Sequence, residues 1–122
     1  MTGVDERPPI WIGHAFLTVS DLQKSADFWV AIGMREIERN DEVAIMELRG
    51  GTHLLLLPGA PEPADAPFDL MVDDIAGAHA RWSEQGFTVS PISNSRSHDQ
   101  FWLSDPDGNR VLVNSSHVMG VV

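Results

Sequence analysis

The chain contains one pattern twice. When "FLTVSDLQKSADFWVAIGM" (16–34) is laid over "DLMVDDIAGAHARWSEQGF" (69–87), Val19 meets Val72, Asp21 meets Asp74 and Leu22 meets Ile75. Trp29 meets Trp82 and Gly33 meets Gly86. With a slightly longer offset the ends of the halves align too: Gly51 with Gly108, Leu55 with Leu112, Leu56 with Val113. A unit used twice constrains the fold more than any single motif, because both halves must fold alike and bury complementary faces.

Each unit can be read by its period. "HAFLTVSD" is a β-rich run closed by a Ser-Asp cap. "DLQKSADFWVAIG" then places apolar residues at Leu22, Ala26, Trp29, Val30 and Ile32, which is helical spacing, with Gly33 as the C-terminal glycine. "MREIE", "VAIMEL" and "THLLLL" follow as three strands, the last two joined through "RGG". In the second half "DPDGN" is the corresponding turn. The expected order is β-α-β-β-β, twice, in an α+β fold. We expect one domain over 1–122, with unit one at about 10–58, an acidic, proline-rich linker at about 59–66 and unit two at about 67–117. The register of the strands around 43–48 and 99–104 stays open, since the turn lengths are ambiguous.

These features together resemble the vicinal oxygen chelate superfamily, which includes glyoxalase, bleomycin-resistance and extradiol dioxygenase proteins. The resemblance rests on "VSDLQKSADFW…IGM" after the first strand, on "DPDGNRV" before the last, and on the repeat from about Ile12 to Ser116. It implies strands curled into a cup with helices outside. It also implies cups completed by pairing of two chains, and hence a homodimer. One fold of this kind hosts many activities.

Strand alternation nominates the cup residues. His14, Phe16 and Thr18 face it from the first strand, and Pro67, Asp69 and Met71 from its repeat. His53, Leu55 and Leu57 face it from one hairpin, and Arg110, Leu112 and Asn114 from the other. Leu54, Leu56, Val111 and Val113 then face the helices. The resemblance puts four metal ligands at the positions of His14, Leu55, Pro67 and Leu112. Only His14 has a lone pair to offer, and three or four protein ligands are usual. The expected cofactor is therefore none. The alternative is a divalent metal on a shifted set of His14, His53 and Asp69. That set must bridge a displacement of roughly 6–7 Å for two residues of strand and converge within about 2 Å of one ion. A metal site that includes His98 or His117 at the rim is a further alternative.

Other side chains have plainer expectations. Trp29 and Trp82 belong to the core, and His79 lies opposite an apolar stripe and is expected in solvent. Asp105, Asp107 and Asn109 lack the length and closing glutamate of a calcium loop and read as turn residues. Asp69 sits in "PFDLMV", where a carboxylate needs a partner or water. Arg110 and a ligand cation are the partners considered. Trp102 beside Phe101 could stack a flat ligand.

Composition excludes several functions. There is no cysteine, so disulfides, thiolate nucleophiles and Cys-ligated metals are out, and a reducing, cytoplasmic location is expected. The start "MTGVDERPPI" has no apolar core of a signal peptide, and no run is long enough to span a membrane. The net charge of −10 disfavours nucleic acid, and either suits a cationic partner or serves only to keep the chain in solution. No nucleophile elbow or phosphate loop is visible.

Two functions remain open. One is a protein that binds a small organic molecule, similar to the bleomycin-resistance branch. Its candidate contacts are His14, Phe16, His53, Leu55, Asp69, Met71, His98, Trp102, Leu112 and Asn114. The other is an enzyme (lyase, isomerase or dioxygenase) that uses a non-standard metal site around His14 or, without metal, His14 or Asp69 as a general base. No catalytic residue is assigned.

Overall fold

The computed structural model describes residues 4–122. The first half runs β1 (His14–Val19), α1 (Leu22–Ile32), β2 (Arg35–Arg39), β3 (Ala44–Glu47) and β4 (His53–Pro58). The second runs β5 (Asp65–Val72), α2 (Ile75–Glu84), β6 (Ser93–Asn94), β7 (Asp99–Ser104) and β8 (Arg110–Ser115). Each half forms its own four-stranded sheet, ordered β1-β4-β3-β2 and β5-β8-β7-β6. In each, the first strand runs parallel to the last, and the hairpins are antiparallel. The result is the α+β fold of the vicinal oxygen chelate type, two mixed sheets that do not close into a barrel.

Local chemistry explains the repeat. Asp21 and Asp74 cap α1 and α2, each carboxylate accepting from the backbone N–H three residues on. Gly33 ends α1 at φ 130°, and its N–H returns to the carbonyls of Trp29 and Val30. The 49–51 turn needs two left-handed residues, and glycines supply both: Gly50 at φ 82° and Gly51 at φ 90°.

The core lies between sheets and helices. Leu54, Leu56, Val111 and Val113 are fully buried, as strand alternation requires. On α1 the buried stripe is Leu22, Ser25, Ala26, Phe28, Trp29 and Ile32, while Val30 is exposed. Phe28 takes the place expected for Val30 because it packs edge-on against Phe87 of the other half, ring centres 4.9 Å apart. The halves are also joined by Trp82, whose Nε1 donates to the Ile32 carbonyl at 3.2 Å, and by Ser20, bonded to Asp107. No helix among the described residues is long and apolar enough to cross a membrane.

Candidate binding site on the second sheet

Strand register decides which candidates meet. In the first sheet His14 pairs with His53 and Phe16 with Leu55. In the second, Asp69 pairs with Leu112 and Met71 with Asn114, while Trp102 and Gln100 lie beside Leu112 and Asn114 from the other side. The even-numbered residues of β7 and β8 share a face away from the helices, since Phe101, Leu103, Val111 and Val113 are buried on the opposite one.

That face holds an open pocket of about 520 Å³, lined by Ala66, Pro67, Phe68, Asp69, Trp102 and Leu112. Three expected residues, Asp69, Trp102 and Leu112, are thus brought together. Asn114 stands just behind them, buried, with Nδ2 donating to Asp69 Oδ2 at 3.0 Å. Met71 lies on the same face and is 46% exposed. His14, Phe16, His53 and Leu55 belong to the other sheet and do not line this pocket.

Within the chain the partner of Asp69 is Asn114, not Arg110. Arg110 turns to Asp65 instead, with Nε donating to Oδ1 at 2.8 Å and Nη2 to Oδ2 at 3.2 Å. Its guanidinium lies 4.3 Å from the centre of the Trp102 ring. The cation therefore covers part of one indole face and is itself held by a carboxylate. Asn114 bonds only one oxygen of Asp69, which lines the pocket together with Ala66, Pro67, Phe68 and Leu112. Such a carboxylate can accept from an ammonium or an N–H of a ligand, and the Trp102 rim can stack against a ring.

The first sheet carries a different cluster. His53 Nε2 donates to Glu47 Oε2 at 3.0 Å, and Arg35 binds the other oxygen through Nε at 2.9 Å. The bond from His53, then that from Arg35, holds the Glu47 carboxyl below the usual range. His14 stands 6.1 Å from His53, ring centre to ring centre, and is exposed.

Donor atoms are sparse at the positions the family uses for metal. Of the four family positions, Leu55, Pro67 and Leu112 have no donor atom, so the residues present do not fit the family's metal. Of the shifted set, His14 and His53 lie on the first sheet and Asp69 on the second, and His53 is engaged by Glu47. Among the described residues no group of three or more His, Asp or Glu is placed to hold an ion.

His79 departs from its expected solvent position. It is half-buried, with Nε2 donating to the Ser90 carbonyl at 2.8 Å and its ring edge-on to Phe101. That bond ties Ser90, in the segment between α2 and β6, back to the helix. Trp29 and Trp82 are in the core, and Trp11 is 70% exposed.

The sequence model of the Glyoxalase/Bleomycin resistance protein/Dioxygenase superfamily matches residues 11–113. The chain belongs to that superfamily. No curated protein sequence matches it. Among solved structures it is similar to TnmS3, an antibiotic binding protein from Streptomyces sp. CB03234. That match has 26% identity and a TM-score of 0.75 over 89% of this chain and 98% of that one. The bleomycin resistance determinant encoded on transposon Tn5 shares the fold at 17% identity, with a TM-score of 0.71 over 89% and 100% of the chains. So does a lactoylglutathione lyase from Agrobacterium tumefaciens, at 18% identity and 0.75 over 94% and 100%.

Arg110, Asp65 and Glu47 were not among the expected contacts. Arg110 was legible as a cup-facing residue, but its stacking on Trp102 follows only from the β7–β8 register that pairs Ser104 with Arg110.

Proposed function

We propose that this superfamily member is a small-molecule-binding protein that holds an organic ligand on the second sheet without the family's metal. The observation that carries the reading is the pairing of an apolar, Trp102-rimmed floor with a single anchored carboxylate, Asp69, at a place where the family's metal donors are missing. The similarity to TnmS3, an antibiotic binding protein, supports it. The favoured ligand is flat and cationic, since the stacking surface is one tryptophan, the anchor is anionic and the whole chain carries a net charge of −10.

The test is a thermal-shift screen of planar cationic and neutral compounds, followed by calorimetric titration of any hit. Trp102→Ala should weaken a bound ring by about 10- to 100-fold. Asp69→Asn should weaken cationic ligands by about tenfold and spare neutral analogues. A hit that binds both variants as tightly as the parent would rule the site out.

We further propose a homodimer, a single-domain chain located in the cytoplasm. The pocket is walled by one sheet only, and Ile10, Trp11, Ile12 and Phe16 leave apolar surface in solvent. Sedimentation at micromolar concentration should give twice the 13.4 kDa chain mass; a monomer there would refute the pairing.

The Glu47–His53 pair favours one other reading, an enzyme that uses an imidazole near His14 as a general base without metal. Under that reading His53→Gln abolishes turnover of a substrate while leaving its binding in place.

A further inference from the structure

At the far end of the second-sheet face, two rows beyond Trp102, His98 and His117 stand with ring centres 4.9 Å apart and planes at 66°. We propose that this pair is a two-imidazole seat for a divalent transition-metal ion of the copper, nickel or zinc type. It is separate from the family's metal positions and does not depend on the ligand proposed above.

Three observations carry the assignment. First, the spacing fits. An imidazole nitrogen binds zinc at about 2.0–2.1 Å, which places the ring centre about 3.2 Å from the ion. Two rings on one ion at angles of about 90° to 110° then lie about 4.5 to 5.2 Å apart, and the observed distance falls inside that range. Second, the tautomer of His98 is set. Its Nδ1 donates to the Ser115 carbonyl at 2.7 Å, so the lone pair is on Nε2, the atom left free. A ligating histidine commonly donates its second nitrogen to a carbonyl in this way, which fixes the ring and raises its basicity. Third, the backbone under His98 is pinned. Its N–H donates to Ser95 Oγ at 3.1 Å, the Ser95 hydroxyl donates to the His98 carbonyl at 2.7 Å, and the Asp99 N–H donates to Ser115 Oγ at 3.0 Å. His98 is therefore held in place before an ion arrives, and only His117, exposed in the segment after β8, has to be ordered.

No third side chain of the described residues joins the pair. The remaining coordination positions go to water or to an oxygen- or nitrogen-bearing small molecule. Two neutral imidazoles select borderline ions over hard ones, so magnesium should be ignored.

The test is calorimetric titration of the full-length, untagged protein with copper(II), zinc or magnesium alone in a non-coordinating buffer. Copper spectra are read in parallel for nitrogen coupling. The expected result is one equivalent of copper or zinc bound, no magnesium signal, and two coordinated nitrogens. His98→Gln and His117→Gln should each weaken copper binding by about tenfold or more, with far-ultraviolet circular dichroism unchanged. Absence of binding, binding that neither variant weakens, or binding that only one of them weakens would each overturn the two-imidazole seat.

Discussion

Trp29→Ala is expected to destabilise the fold by about 3–5 kcal/mol, and Trp29→Phe by much less. The indole is fully buried in the middle of α1 and packs edge-on against Phe28 at 4.9 Å. Its Nε1 is buried without a hydrogen-bond partner. Phenylalanine therefore removes area but strands no acceptor. Its repeat mate Trp82 makes the opposite case, because its Nε1 serves the Ile32 carbonyl at the junction of the halves. Trp82→Phe leaves that carbonyl unpaired in the core, and should cost about 1 kcal/mol more than Trp29→Phe. Urea unfolding of the three variants measures both comparisons. Domains of this kind have about 5–15 kcal/mol in total, so Trp29→Ala should remove a large share of it. Equal costs for the two phenylalanine variants would show that the buried Trp82 bond contributes nothing.

This contrast also marks how far sequence reading can reach. The repeat was legible because folding both halves alike demands the same caps, the same glycines and the same helix-facing strand residues. Asp21 and Asp74, and Leu54 and Val111, are visible in one dimension. What the repeat hides is the difference between equivalent positions. Trp29 and Trp82 align, yet only one bonds across to the other half. Val30 and Phe28 are both apolar on α1, and only the arrival of Phe87 from the second unit decides which is buried. Such choices depend on contacts between units, which no period within a unit records.

The candidate site was legible in the same partial way. Alternation along β5 and β8 placed Asp69 and Leu112 on one face; Trp102 was a stacking candidate on a strand of open register, and the β7–β8 pairing made it their neighbour. The partners of the charged groups were not legible. Arg110 could reach either Asp65 or Asp69 from its strand, and the irregular register of β5 between Asp65 and Asp69 brings Asp65 opposite Arg110. Likewise His14 and His53 faced the expected way, but on a sheet that does not contribute to the pocket.

Asp105→Ala is the second large effect expected, and it ties stability to the pocket. The carboxylate is buried at the "DPDGN" turn and accepts from the Asp107 N–H at 3.0 Å, the Asn109 N–H at 2.8 Å and Asn109 Nδ2 at 3.1 Å. Asn109 in turn accepts from the Ala64 N–H at the start of β5, and Asp107 holds Ser20 of the other half. Alanine would leave these donors unpaired in a buried place, at a cost of about 2–4 kcal/mol. It would also loosen the entry to β8, where Arg110 is positioned over Trp102. Weaker ligand binding should therefore accompany the loss of stability. Burial pushes the Asp105 carboxyl up, and the bonds from Asn109 and Asp107 only partly oppose it. A carboxyl raised on folding favours the folded state when protonated, and that contribution is lost as pH rises through the raised value. The stability gap between the parent and Asp105→Ala should thus be larger near pH 3–4 than near pH 7. Denaturant unfolding at both pH values reads the sign directly. A gap that widens toward neutral pH would mean that the three donors, not burial, dominate the charge state of Asp105.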